Sequence, residues 1–243
     1  MKKPKIKRTL SLALSLSVLV SVIAVPVQVS AAEESPPDWK SGIVDHWSFD
    51  TFQSDAGKQS TAIPYDVALT DTQNPIFGQA LHFDAGTDQY LKLADYINTG
   101  SGKTSFSMWY YYDTTIPGDE AEQSAVLLQH EDKESFIGRS LLTLKPDNHY
   151  HTFLNGENVS SSGTFQRDRW EHITITFDQD TQKVSFYING KLDSQSDLGN
   201  TPENSQTLSL RIGAHKDSGN TNPHPMRGYI DEFYVYHLSL IHI

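Results

Sequence analysis

Arg227-Gly228-Tyr229-Ile230-Asp231-Glu232-Phe233-Tyr234-Val235-Tyr236 decides the architecture. A glycine opens the stretch, and an alternating strand with an acidic pair inside it follows. Side chains of a strand point to opposite faces in turn, so alternation marks one buried and one wet surface. The same period recurs upstream. Ile173, Ile175 and Phe177 alternate with His172, Thr174 and Thr176; Val184, Phe186 and Ile188 alternate with Ser185, Tyr187 and Asn189. Asn189-Gly190 then suits a type I′ reversal, because both residues tolerate positive φ.

Strands are expected at Ile43–Phe49, Ala80–Phe83, Tyr90–Leu93, Thr104–Tyr112, Ala125–Gln129, Ser140–Leu144, Tyr150–Leu154, His172–Phe177, Lys183–Ile188, Leu208–Ile212 and Gly228–Tyr236. Gly, Pro, Asn and Asp punctuate them at short intervals, and no segment reads as an amphipathic helix. This is the pattern of an all-β, two-sheet antiparallel β-sandwich.

Residues 1–32 read as an export signal. Lys2, Lys3, Lys5, Lys7 and Arg8 precede an apolar run from Leu10 to Val25, and Val29-Ser30-Ala31-Ala32 supplies small residues for cleavage. The run is shorter than the ~18–20 residues that span a bilayer. Residues 33–42 read as a flexible leader, 43–238 as the domain and 239–243 as a non-native tail. The expected location is therefore secreted, extracellular or on a bacterial cell surface, with no membrane span after cleavage.

The chain has 19 basic and 30 acidic residues. Loss of the five basic residues of the signal leaves 14 against 30, a net −16. Such a surface repels phosphate backbones and speaks against a nucleic-acid partner. Cysteine is absent. An exported domain of this kind must hold itself by its core, with a metal ion as the available reinforcement.

In chain order, His46-Trp47-Ser48-Phe49-Asp50, Ser105-Phe106-Ser107-Met108-Trp109, Trp170-Glu171-His172-Ile173 and Arg227–Tyr236 resemble the strands of a laminin-G-like, concanavalin A-like lectin/glucanase jelly roll of the bacterial secreted type. The resemblance covers Ile43 to Leu238. It implies a fold that mostly binds glycans or proteins and is a catalyst only in some branches. It also implies a structural Ca²⁺ bound through Asp231, with Asp50 as a second candidate, and core positions for Trp47, Trp109 and Trp170.

Catalytic patterns are missing from the sequence. The Glu-x-Asp-x-x-Glu string of laminarinase-type relatives does not occur, nor does a Gly-x-Ser-x-Gly elbow. The clusters Asp119-Glu120-x-Glu122 and Glu131-Asp132-x-Glu134 fall in loop-like sequence. His149-x-His151 places two imidazoles on one strand face, a possible transition-metal half-site whose simpler reading is a polar, solvated face. Tyr110, Tyr112, Tyr187 and His151 are the candidate ligand-binding platform, where rings stack on sugars and polar groups take hydroxyls. The expectation is a secreted, non-catalytic recognition module for an extracellular or cell-wall carbohydrate. The alternatives are an N-terminal module of a larger glycan-active enzyme and a protein-adhesion domain.

Overall fold

The alternation of Arg227–Tyr236 organises the larger sheet, because this strand pairs with Lys103–Tyr112 over Gly228–Asp231 and again over Tyr234–Tyr236. The computed structural model describes residues 39–56, 61–72, 74, 77–86, 88–93, 97–98, 102–117, 124–130, 139–154, 157–198, 207–208, 210–214 and 224–237. The proposed signal segment, the tail from 239 and both acidic loop clusters lie outside these residues. No helix among the described residues is long and apolar enough to cross a membrane.

Trp39–Gly42 forms a turn of 3-10 helix, the only helical element among the described residues. The strands are β1 Ile43–Trp47, β2 Ala62–Tyr65, β3 Ala68–Asp71, β4 Gln79–Asp84, β5 Tyr90–Leu93, β6 Ile97–Asn98, β7 Lys103–Tyr112, β8 Ala125–His130 and β9 Arg139–Leu144. They continue with β10 His149–Leu154, β11 Glu157–Thr164, β12 Trp170–Asp178, β13 Lys183–Ile188, β14 Lys191–Asp197, β15 Thr207–Leu208, β16 Leu210–Ile212 and β17 Arg227–Tyr236. Sheet I runs β14-β13-β12-β7-β17-β4-β3, with β1 also on β17. Sheet II runs β11-β10-β9-β8-β16-β5-β2, and β15 pairs with β6 separately. The ladders are antiparallel, and the two sheets enclose one core. The expected two-sheet antiparallel sandwich is the fold observed.

Besides the two-residue β6, four strands of the two large sheets lack a counterpart in the alternation pattern: β2, β3, β11 and β14. They are the four outermost strands of the two sheets. The turn at Asn189-Gly190 has φ of 50° and 76°, as a type I′ reversal requires.

The core takes one face of each central strand. Phe106, Met108, Tyr110 and Tyr112 of β7, Ile173, Ile175 and Phe177 of β12, and Ile230, Phe233 and Val235 of β17 are all buried. Each large apolar side chain so buried contributes about 1.5–3 kcal/mol. One carboxylate shares this interior. Glu171 Oε2 accepts hydrogen bonds from Tyr110 Oη (2.9 Å), Tyr150 Oη (2.7 Å) and the Gln166 amide (2.9 Å). Its Oε1 accepts from Arg169 Nη2 (3.2 Å) and Asn189 Nδ2 (3.3 Å). Tyr110 belongs to sheet I and Tyr150 to sheet II, so the carboxylate ties the sheets together with its acceptor sites filled.

The second edge of β17 is divided. Arg227–Ile230 pairs with β4, and Phe233–Tyr236 pairs with β1. A register shift between Asp231 and Tyr234 marks the handover, and Glu232 takes φ of 50° there. The bulge keeps both Ile230 and Phe233 in the core. The ends of the β1–β17 pair are joined as well, where the His237 amide donates to Gly42 O at 3.0 Å.

Gly228 begins the β17–β7 ladder with φ of 105°, and a Cβ there would lie 2.0 Å from Tyr111 O. That oxygen is backbone and cannot swing away. Gly228→Ala should therefore destabilise the domain by roughly 3 kcal/mol, read as a fall in the urea midpoint with an unchanged slope.

Candidate functional site

The outward face of sheet I carries an unusual combination of hydroxyls and rings. Ser105, Ser107, Trp109 and Tyr111 of β7 face outward, opposite Thr176, Thr174, His172 and Trp170 of β12. Thr174 and Thr176 in turn oppose Tyr187 and Ser185 of β13. On the other side, Tyr236, Tyr234, Asp231 and Tyr229 of β17 oppose Ser105, Ser107, Trp109 and Tyr111.

The small residues form a hydroxyl floor. Ser105, Ser107, Thr174, Thr176 and Ser185 are buried although they point away from the core. Ser105 Oγ and Thr176 Oγ1 lie 2.8 Å apart, and Gln195 Nε2 donates to Ser185 Oγ at 2.9 Å. Ser107 Oγ and His172 Nε2 share a hydrogen bond of 2.7 Å. Burial pushes the His172 pKa down to about 4, so the ring is neutral near pH 7.

Rings rise around this floor. His46 stacks on Tyr234 at 3.8 Å, and Tyr234 on Tyr236 at 5.6 Å. Glu232 Oε2 fixes His46 Nε2 at 2.8 Å. At the other end, Phe77 stacks on Trp170 at 4.2 Å and packs against Trp109 at 5.2 Å. Tyr111 and Tyr229 meet Trp170 at 6.0 and 6.2 Å. Trp109, Tyr111, Trp170, Tyr229 and Phe77 are all half-buried. Half-exposed rings beside fixed hydroxyls are the chemistry that holds a sugar, with C–H groups on the rings and O–H groups on the floor.

The four residues expected to form the ligand platform do not come together. Tyr110 and Tyr112 point into the core. Sequence shows aromatic residues on both faces of β7 and does not show that Glu171 and Tyr150 wait inside for the Tyr110 hydroxyl. Tyr112 packs on Phe165, with the Arg167 and Arg227 guanidiniums 5.6 and 5.4 Å from its ring. His151 lies on sheet II, with Nδ1 on Asn158 Oδ1 and Nε2 on Asp147 Oδ2, both at 3.0 Å. His149 Nδ1 faces the Ser161 carbonyl at 3.0 Å, so this pair of imidazoles is engaged locally. Tyr187 alone of the four lies on the outward face of sheet I. Trp47 is in the core as expected, whereas Trp109 and Trp170 are outside it. Their alternation with Met108, Tyr110 and Glu171 was the available signal.

Asp231 is fully buried opposite Trp109, at the gap in β17 between β4 and β1. Its Oδ1 accepts the Glu232 amide at 2.8 Å, while Oδ2 is buried without a hydrogen-bond partner. Burial, reinforced by the charges of Glu232 and Asp50, raises its pKa to about 8 against the opposing amide bond. Asp50 follows Phe49, which takes φ of 54°. A Cβ on Gly78 would lie 3.3 Å from Asp50 Oδ1. Gly78, just before β4, thus lies against Asp50, whose charge is felt at Asp231, with left-handed residues at Phe49 and Glu232. Such backbone strain concentrates at functional sites. An orphaned buried carboxylate oxygen beside a second carboxylate fits a hard cation. Among the described residues no cluster of three or more His, Cys, Asp or Glu is present. Backbone carbonyls and water would complete any coordination.

A two-sheet antiparallel sandwich is the fold of the lectin and glucanase class. Residues 85–241, more than half of the chain, match the laminin-G model of the concanavalin A-like lectin/glucanases superfamily, and the chain belongs to this family. Three solved structures share the fold. The botulinum neurotoxin serotype D binding domain superposes with a TM-score of 0.59 at 15% identity, covering 83% of this chain and 49% of that one. Domain 4 of AbnA, a GH43 extracellular arabinanase from Geobacillus stearothermophilus solved with arabinotriose, gives 0.56 at 17% identity, covering 80% and 92%. The Trypanosoma rangeli sialidase gives 0.60 at 12% identity, covering 82% and 31%. The chain thus spans about half of the neurotoxin domain and about a third of the sialidase. No curated protein sequence matches it. Binding domains and enzymes both occur among these neighbours.

His172 gives this site a measurable signature. Its ring should stay neutral on titration from pH 8 to pH 5 by NMR, while an exposed histidine protonates near 6.5. Because the unfolded chain takes up that proton first, His172 contributes stability that is lost as pH falls from about 6.5 toward about 4.

Proposed function

We propose that this protein is a secreted, non-catalytic recognition module for an extracellular or cell-wall carbohydrate, and that it binds on the outward face of sheet I. The observation carrying this reading is the adjacency of the Trp109–Trp170–Phe77 rings to the Ser/Thr floor. A sugar laid across this face would stack its ring carbons on those half-buried aromatics, with the small buried Ser and Thr residues leaving room for it beside them. The neighbouring structures are consistent with it: one was solved with arabinotriose, and another concerns a type C neurotoxin whose cell entry depends on two ganglioside molecules. The leader through Ala32, read as an export signal, supports secretion.

The non-catalytic reading rests on how the carboxylates near this face are used. Glu232 holds His46, Asp231 is buried, and Glu171 is saturated between the sheets. Paired glycosidase carboxylates must instead flank a sugar at about 5–9.5 Å from each other. A second reading is that the module serves a larger glycan-active enzyme. It is favoured by the match to nearly the whole of one domain of an arabinanase.

The same proposal includes a structural Ca²⁺ at Asp231, with Asp50 as the second carboxylate. The ion would neutralise a charge that burial makes costly and would join the ends of β1 and β4 to the bulge of β17. Weak sites of roughly 10⁻⁴–10⁻³ M suffice outside cells.

Two experiments check these statements. On a glycan array the mature domain should bind, and Trp109→Ala or Trp170→Ala should weaken binding by about tenfold or more; wild-type silence with and without chelator, or capture of protein partners alone, would remove the carbohydrate reading. For the metal, native Asp231 keeps its proton up to about pH 8, whereas the unfolded chain releases it near 4. In chelator, stability contributed by this group should therefore decline as pH rises through that window. Asp231→Asn should abolish the decline and, in calcium, lower the melting temperature; equal shifts with calcium and with chelator would refute the site.

A further inference from the structure

Of the rings on the outward face of sheet I, Phe77 alone comes from a connection and not from a strand. It lies between β3 and β4, the last two strands of that sheet. Its ring nevertheless reaches past β17 to β7 and β12. There it stacks on Trp170 at 4.2 Å and 29° and meets Trp109 at 5.2 Å and 55°. Phe77 is half-buried and stands outside the hydrophobic core.

The backbone that carries this ring is held by its own hydrogen bonds. Gly78 O accepts from the amide and the hydroxyl of Thr72, both at 3.0 Å. Asn74 O accepts from the amides of Phe77 (3.3 Å) and Gly78 (3.1 Å). None of these bonds uses the Phe77 side chain, so the ring can leave Trp170 by a rotamer change with the turn beneath it intact. Among the described residues its ring contacts are with the two indoles alone. Giving them up costs far less than exposing a core side chain.

The place of this contact matters for the carbohydrate reading, on which the inference rests. An indole takes a sugar on its flat face, and the stacked Phe77 covers one face of Trp170. The other ring neighbours of Trp170, Tyr111 and Tyr229, are supplied by strands of the sheet itself. We infer that Phe77 is a gate: it stacks on Trp170 in the empty domain, in the place a sugar ring takes, and a bound sugar displaces it. Trp109 and Trp170 supply the platform, and Phe77 covers it until the sugar arrives. Phe77 thus competes with the ligand, and the dissociation constant rises as the fraction of molecules with an uncovered Trp170 falls. Its effect on binding is therefore opposite in sign to that of the two tryptophans.

The test compares the mature domain as wild type, Phe77→Ala, Phe77→Leu, Trp170→Ala and the double variant Phe77→Ala/Trp170→Ala. With no glycan present, acrylamide should quench indole fluorescence more strongly in Phe77→Ala than in wild type, and the difference should shrink in the Trp170→Ala background. On the glycan array, Phe77→Ala should bind the glycans that wild type binds roughly two- to tenfold more tightly, the worth of one aromatic stack. Phe77→Leu, which keeps an apolar side chain on the turn, should fall between them, and adding Trp170→Ala should cancel the gain. Equal or weaker binding by both Phe77 variants, with wild type bound, overturns the gate and leaves the sheet I reading standing. Unchanged quenching overturns the gate whatever the array shows, since Phe77 then shields no indole. Wild-type silence on the array removes the carbohydrate reading, and the gate with it.

Discussion

One strand, two successive partners: the constraint on which this molecule turns is the sharing of the β17 edge between β4 and β1. A regular ladder on that edge would need one neighbour of matching length. Here β4 serves as far as Ile230 and β1 takes over at Phe233. The two residues between must change register without expelling Ile230 or Phe233 from the core, and the left-handed turn at Glu232 does this. The consequence is a buried carboxylate at Asp231, where pairing is interrupted. Desolvation of that charge opposes folding unless a proton or a cation compensates. The proposed calcium position follows from strand topology more than from any local acidic motif.

The interior handles its other carboxylate differently. Glu171 receives donors from both sheets, a loop amide, an arginine and the turn asparagine. It therefore needs no cation. Removing one phenol would leave a buried acceptor poorly satisfied, and such losses cost about 1–3 kcal/mol each. The two acids show how identical chemistry yields a structural tie in one place and a candidate ion site in another, according to how many donors converge.

Much of the sandwich was legible because central strands are buried on one face and carry alternation in plain form. Tyr90–Leu93 and Lys183–Ile188 were found with their observed limits. The outermost strands were missed for a physical reason. Glu157–Thr164 and Lys191–Asp197 are polar almost throughout, and Ala62–Tyr65 contains proline, because an outer strand has fewer neighbours to pack and must discourage pairing with other chains. The outward face of sheet I was harder still. Aromatic residues occupy both sides of β7, so composition could not say which side is wet; Tyr110 and Tyr112 went inward and Trp109 and Tyr111 outward. The direction depended on Glu171 and Tyr150, which are distant in the chain.

The hydrogen bond from His237 to Gly42 has a mechanical meaning. The start of the first described strand and the end of the last lie side by side, since Ile43 also stands opposite Tyr236. Tension applied through flanking chain would peel β1 from β17 one rung at a time instead of loading all rungs in parallel. A unit with such a shared doorway is easily spliced into a longer polypeptide, because its host needs to bridge only a short span. The same doorway makes it a poor load-bearing link between flanking segments, yielding at low force when they are pulled apart.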